Sequence, residues 1–220
     1  MIELVVFLGN PEKKYLKTRH NAGWLLTEYL SFFNDLLWET KFKGSWAVLE
    51  SQCFFKSLFI HGEKGESPSK IHFLMPHTYM NNSGESVLAA ASFFKIPYDN
   101  IIIVHDELEL SPGTISLKYG GGLCGHNGLR SIKACLGTSD FWRLRIGIGR
   151  PDSRIPGEGG PPGSGEGIID WVLTKFSQEE LPVLQQSLNE AANLLINILR
   201  YGPEDLLSEW SKRKVTKIEN

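Results

Sequence analysis

A histidine, an aspartate and three asparagines, set between Asn10 and Asn127, are the side chains best suited to chemistry in this chain. His20 stands in Thr18-Arg19-His20-Asn21, and Asp106 stands in His105-Asp106-Glu107-Leu108. An imidazole takes up a proton near neutral pH, which suits it to work as a general base. A carboxylate on its other nitrogen would fix the tautomer and stabilise the imidazolium that forms. Asn10, Asn81 and Asn127 each offer an uncharged donor and acceptor. Such amides can orient a water, hold a peptide backbone or stabilise a developing oxyanion. The set suits attack of an activated water on a carbonyl. Each member also has a plainer reading. Asn21 and Asn127 are good helix caps, and Asn81 and Asn82 are ordinary turn residues. Asp106 suits a strand-end ion pair, and His105 and His126 suit buried, hydrogen-bonded imidazoles. His61, His72 and His77 read as surface or structural residues.

A glycine-rich stretch, Gly120-Gly121-Gly122-Leu123-Cys124-Gly125, leads into His126-Asn127-Gly128. It suits close approach of an RNA strand or a peptide to backbone N–H groups, or a tight bend. No Gly-Lys-Ser/Thr follows, so it is not a P-loop. Basic residues gather after position 117: Lys118, Arg130, Lys133, Arg143, Arg145 and Arg150. Lys118 and Arg145 fall on expected strands, where they can face a phosphate; a solvated surface is the commoner fate of such a run. Cys124 beside His126 raises a thiol nucleophile, for which no paired base stands at a convincing position.

These residues need elements to hold them. The short apolar runs at 4–8 and 101–104 read as buried strands, each leading directly into a candidate segment. Further strands are expected at 46–59, at 71–74, from 117 and at 142–148. Helices are expected after Asn21, at 87–94 and at 127–136, where Gly137 is the stop. Ser177-Gln178-Glu179-Glu180 is a capping box that opens a long helix, and a short last helix runs through Trp210. Residues 61–70 and the Gly/Pro-rich stretch at 150–167 read as loops. Strands alternate with helices, which predicts one α/β domain over residues 1–211 with helices on both faces of its sheet. Residues 212–220 read as a loose basic tail. In such sheets, sites form beyond the carboxyl ends of strands, where the candidate segments fall.

Composition narrows the class. A chain of 220 residues with 41% hydrophobic and 22% charged residues can bury one sizeable core. A net charge of −2 argues against a broadly basic nucleic-acid binder but leaves room for a local basic face. Cys53, Cys124 and Cys135 form neither a disulfide framework nor a zinc pattern, which suits a reducing cytoplasm. The N-terminus has no signal-peptide pattern, and no apolar run is long enough for a bilayer.

Taken together, the blocks resemble the bacterial peptidyl-tRNA hydrolase family. The match rests on Leu8-Gly9-Asn10-Pro11, Tyr15, Thr18-Arg19-His20-Asn21-Ala22-Gly23, Thr78-Tyr79-Met80-Asn81 and Ser83-Gly84. It continues through His105-Asp106-Glu107-Leu108, Leu117-Lys118, Gly120-Gly121-Gly122, Gly125-His126-Asn127-Gly128-Leu129-Arg130 and Arg143-Leu144-Arg145-Ile146-Gly147. The resemblance implies a single α/β domain with a twisted mixed sheet between helices. It implies an esterase for peptidyl-tRNA from stalled translation, with His20 activating water and Asp106 orienting His20. Asn10 and Asn81, with Tyr15 and Tyr79, would line the peptide site, and Asn127 would stand beside the scissile ester. Lys118 and Arg145 would hold a tRNA phosphate. No cofactor and no metal is expected, and the protein should act as a monomer. Glu12 stands where glycine is usual in the family, Ser116 where a basic residue is usual, Cys124 where a second glycine is usual and Glu109 where aspartate is common. The loop at 156–167 is also longer than usual. Two rival readings are an RNA-binding protein without turnover and a hydrolase of another kind, which would want a metal or nucleophile set.

Overall fold

The run Leu-Val-Val-Phe at 4–7 and the run Ile-Ile-Ile-Val at 101–104 are apolar on both alternating faces, which marks strands covered on both sides. The computed structural model describes residues 1–50, 68–151 and 165–215. In chain order its strands are β1 (Leu4–Phe7), β2 (Glu39–Lys41), β3 (Gly44–Glu50), β4 (Lys70–Pro76), β5 (Ile101–Glu107), β6 (Thr114–Tyr119), β7 (Trp142–Gly147) and β8 (Arg213–Lys214). Its α-helices are α1 (Ala22–Leu26), α2 (Ser83–Phe94), α3 (Asn127–Leu136), α4 (Gly165–Leu173), α5 (Leu181–Tyr201) and α6 (Leu207–Trp210). The strands form one mixed sheet in the order β2-β3-β4-β1-β5-β7-β6-β8. The inner strands β4, β1, β5 and β7 run parallel, and both edges are antiparallel.

Alternation divides the core between two layers. Val5, Phe7, Ile102, Val104, Leu144 and Ile146 pack with Ala22 and Leu26 of α1 and with the leucine stripe of α5. Leu4, Val6, Leu8, Ile101 and Ile103 pack against Val87 and Ala91 of α2 and Leu129 and Ile132 of α3. The expected single α/β domain with helices on both faces is the fold observed. Helix α1 lies very close to the sheet. A Cβ on Gly23 would sit 2.5 Å from the Val104 carbonyl oxygen and 2.6 Å from that of Leu8, so only glycine permits this approach.

The strand order places the site. The chain goes from β1 to β4 on one side and then crosses to β5 on the other, so the segments after β1 and β5 diverge and leave a crevice at their carboxyl ends.

Several elements differ from the sequence expectation. β5 runs to Glu107, so His105 and Asp106 lie within the strand rather than after it. β2 and its hairpin to β3 were not expected; Phe42 and Lys43 turn the chain with φ of 53° and 55°, a left-handed pair usually filled by Asn and Gly. Helix α4 is not among the expected helices, and its first three residues fall in the stretch expected as a loop. Residues 213–215 of the expected loose tail pair with the sheet. Arg213 and Lys214 add β8 to the free edge of β6, and Val215 N–H donates to the Gly113 carbonyl at 2.7 Å. An open strand edge offers unpaired backbone groups whatever the side chains are, and these basic side chains stay exposed. The capping box forms: Ser177 N–H donates to Glu180, and Glu180 N–H to Ser177 Oγ. The strand expected over 51–59, Cys53, the loop at 61–67 with His61, the loop at 152–164 and the tail beyond 215 lie outside the described residues. Among the described residues no helix is long and apolar enough to cross a membrane.

Candidate active site

His20 sits in a 3₁₀ turn, Arg19–Asn21, that leads into α1. Its neighbours on either side fix it. Asn21 stands at the N-cap position of α1, but its side chain makes no capping bond there. Instead its side chain accepts from Asn10 N–H at 2.9 Å and donates to the Asn10 carbonyl at 3.1 Å, stapling the turn to the end of β1. Arg19 points away from the site. Its guanidinium donates to Thr174 Oγ1 at 2.6 Å, to the Lys175 carbonyl at 2.7 Å and to both Glu180 oxygens at 2.8 Å, and it stacks 3.7 Å from the Trp171 ring.

With its backbone held, His20 brings Nδ1 to 2.9 and 3.0 Å from the two oxygens of Asp106. An ionised carboxylate only accepts, so Nδ1 carries the proton and Nε2 is left with its lone pair. The same carboxylate takes a second imidazole. His126 Nε2 lies 3.0 Å from Asp106 Oδ1. Its Nδ1 accepts from the N–H groups of Gly128 and Leu129 at 3.1 and 3.4 Å, so His126 is the N-cap of α3. Both nitrogens of His126 are thereby assigned, and the helix end that carries Asn127 is tied to Asp106. Burial alone would raise the Asp106 carboxyl, but the two histidines outweigh it through charge and hydrogen bonds and hold it well below the usual carboxylate range. His105, on the opposite face of β5, is fully buried; burial first and His126 second lower its pKa well below the usual imidazole value, so it is neutral. The motif Gly-His-Asn-Gly contained His126, but nothing local distinguished a ligand of Asp106 from a core histidine.

The cleft in front of these groups has a volume of about 280 Å³ and is lined by His20, Asp106, His126, Asn127, Arg130 and Cys124, with Ile168, Ile169 and Val172 of α4 on the apolar side. Asn10 is nearby through its backbone, and its side-chain oxygen accepts from Met80 N–H at 2.9 Å. That bond fixes the turn Met80–Asn82, which exposes Asn81. Tyr79 is 54% exposed and donates to Glu12, whose carboxylate also pairs with Lys14 at 2.9 Å. Tyr15 is half-buried beside Lys14, whose ammonium lies 4.7 Å from its ring. His20, Asp106 and Asn127 therefore share the cleft, while Asn81, Tyr79 and Tyr15 belong to the adjoining surface held by Asn10 and Glu12. Burial, then Glu107 and Glu109, push the Cys124 thiol up, so it is a poor nucleophile at neutral pH.

The expected phosphate pair is not symmetric. Lys118 on β6 stands opposite Arg143, and Arg145 stands opposite Ser116. Arg145 donates to Ser116 Oγ at 2.5 Å and lies 3.6 Å from Glu107, while Ser116 donates to the Ser211 carbonyl. Glu109 pairs with Arg150.

Three ligand atoms, from His20, Asp106 and His126, lie within 4.8 Å of one another and form a possible cation group. Their donor set fits proton sharing better. Each imidazole already gives an N–H to the carboxylate, and the second nitrogen of His126 is taken by the helix.

Known proteins resemble this chain in sequence and in fold. The family model for peptidyl-tRNA hydrolase matches residues 4–218. A peptidyl-tRNA hydrolase from Treponema pallidum (strain Nichols) is 42% identical over 220 residues, covering 99% of this chain and 98% of its own. The crystal structure of peptidyl-tRNA hydrolase from Acinetobacter baumannii is similar with a TM-score of 0.78 at 32% identity, covering 98% of this chain and 97% of its own. A peptidyl-tRNA hydrolase in complex with N-propanol gives 0.75 at 32% identity, covering 96% and 94%. Sequence and fold agree along nearly the whole length, and the chain belongs to the peptidyl-tRNA hydrolase family.

Proposed function

We propose that this protein hydrolyses the ester that joins a peptide to the terminal ribose of tRNA, with His20 as general base. One observation carries the mechanism: His20 Nδ1 donates to a buried Asp106 carboxylate at the mouth of a cleft that also holds Asn127. Nε2 takes a proton from water as the oxygen attacks the ester carbonyl. The imidazolium is stabilised by Asp106 and then returns the proton to the departing ribose oxygen. Asn127, at the start of α3, is placed to orient the water or to donate to the oxyanion. Asn10 and Asn81 hold the peptide backbone, and Tyr15 and Tyr79 flank it. Lys118 and Arg145 hold a phosphate of the tRNA. The substrate ester is reactive enough that no covalent nucleophile is needed, and the reading takes the protein as a monomer working in the cytoplasm without a metal.

The test is release of N-acetyl amino acid from N-acetyl-aminoacyl-tRNA. We expect wild type to release it with or without EDTA, and His20→Ala to lose at least about 100-fold in kcat, in line with general-base catalysis, while it still folds by circular dichroism. Turnover in His20→Ala near the wild-type rate would overturn the role of His20. Binding of tRNA without any turnover by wild type would favour the RNA-binding reading.

A further inference from the structure

Glu12 puts a carboxylate on a surface that otherwise offers amides and phenols to the peptide. Its backbone is held on both sides. Pro11 restricts the chain before it, and the Glu12 carbonyl accepts from Tyr15 N–H at 2.8 Å to open the turn Lys13–Tyr15. Asn10, two residues back, is stapled by Asn21. The side chain therefore leaves from a fixed point. Its Oε1 accepts from the Tyr79 hydroxyl, and its Oε2 pairs with Lys14 Nζ at 2.9 Å.

The Tyr79 bond joins the segment after β1 to the segment after β4. The bond from Met80 N–H to Asn10 Oδ1 joins the same two segments beside it. Glu12 is thus two residues from Asn10, and Tyr79 is two from Asn81, the two amides proposed to hold the peptide backbone. Glu12 and Tyr79 stand outside the cleft lined by His20, Asp106 and Asn127, where the ester must lie. The carboxylate therefore falls alongside the residues that precede the esterified one.

Its charge is present and reachable. The hydrogen bond from Tyr79 first, and that from Lys14 second, hold the Glu12 carboxyl below its ordinary range, so it is ionised at neutral pH. The same bond pushes the Tyr79 phenol up, so Tyr79 donates without neutralising the carboxylate. Lys14 does offset the charge, but its side chain is 62% exposed, and an exposed ion pair holds weakly. The Glu12 side chain is itself 37% exposed and has lone pairs left for a further donor.

We infer that Glu12 makes the peptide site select for a cationic side chain, a lysine or an arginine in the two positions before the esterified residue. The inference rests on the proposed reaction and names a substrate class for it. The substrate cation shares the carboxylate with Lys14 or displaces it, while Tyr79 keeps the carboxylate aimed.

The experiment measures kcat/KM at low salt for one tRNA carrying N-acetyl-Lys-Lys-Ala, N-acetyl-Glu-Glu-Ala or N-acetyl-Ala-Ala-Ala, in wild type, Glu12→Gln and Lys14→Met. Turnover of the alanine substrate by wild type comes first; its absence counts against the proposed function, whereas the ratio of the lysine to the glutamate substrate judges Glu12 alone. Glutamine can still accept from Tyr79 but carries no charge. Lys13 and Lys17 are also exposed on this segment, and their field acts on wild type and Glu12→Gln alike. The ratio should be about threefold higher in wild type than in Glu12→Gln, in line with an exposed ion pair, and the difference should fade as salt is raised. Lys14→Met removes the competing cation and should raise the ratio above that of wild type. Equal ratios in wild type and Glu12→Gln overturn the proposal. So does an equal loss on all three substrates, which would make Glu12 only a prop for Tyr79. A ratio in Lys14→Met at or below the wild-type value also overturns it, even if circular dichroism shows that Glu12→Gln does not fold.

Discussion

Asp106 accepts from two histidines at once, and the two bonds have different consequences. The bond from His20 sets the tautomer of that imidazole. The bond from His126 ties Asp106, and through it His20, to the first turn of α3, which carries Asn127. At the same scale, Cys124 occupies a backbone position that suits glycine. Its φ is 48°, in the left-handed region where a Cβ crowds the backbone. Cys124→Gly should therefore stabilise the fold by about 1 kcal/mol or leave it level, the relief of strain being set against the extra freedom of glycine in the unfolded chain. Hydrolysis should survive, because the thiol is protonated and no base pairs with it. Urea unfolding and the ester-release assay check both halves; loss of turnover in a folded variant would restore the thiol as a nucleophile.

Arg19 shows how whole elements reach the site. It belongs to the same short turn as His20 yet works on the far side, joining that turn to the end of α4, to Phe176 at 5.2 Å and to Glu180 before α5. Glu180 has two duties, because it also closes the capping box on Ser177. Removing the guanidinium would leave the Glu180 carboxylate with only its bond from Ser177 N–H. Arg19→Met should cost about 2–4 kcal/mol, less than a fully buried pair because Glu180 is 24% exposed. Its Tm should drop by several degrees. Glu180→Gln should cost less, since the cap and one neutral bond remain. A loss of under about 0.5 kcal/mol in Arg19→Met would show that packing of α4 and α5, rather than this hub, holds the turn.

At the scale of the molecule, acid should weaken the fold through groups that lie far apart. His72 of β4 is buried against the Phe94 ring at 3.9 Å, and burial first and Lys70 second lower its pKa to about 4. His105 is likewise buried and neutral. In the unfolded chain both imidazoles take a proton near pH 6.5, before the folded chain does. Unfolding therefore takes up protons, and stability falls as pH drops below about 6.5, with the His72 share levelling off near pH 4. Asp106 adds a loss of the same sign at lower pH, because its folded carboxyl protonates well below its unfolded value. His72→Phe keeps the ring stack and should flatten the decline in Tm between pH 7 and pH 4.5. An unchanged slope would assign the acid sensitivity elsewhere.

Much of this was legible in the chain itself. The runs at 4–8 and 101–104, the helix at 127–136 with its glycine stop and the capping box at 177–180 are local patterns, and local patterns survive in the fold because hydrophobic period and cap chemistry act over a few residues. The residue types at His20, Asp106 and Asn127 likewise limit the chemistry before any geometry is known. What the chain did not disclose lies in directions set by distant neighbours. Arg19 and His20 are adjacent, yet one turns to Glu180 and the other to Asp106. Arg143 and Arg145 are two apart on one strand face, yet only Arg145 meets Ser116 and Glu107. His126 could have been any buried histidine until β5 brought Asp106 beneath it. Arg213 and Lys214 read as loose until an open strand edge lay beside them. Burial of a polar side chain depends on which partner the tertiary fold brings within hydrogen-bond reach, and that pairing joins residues 20 to 161 positions apart, beyond any local pattern.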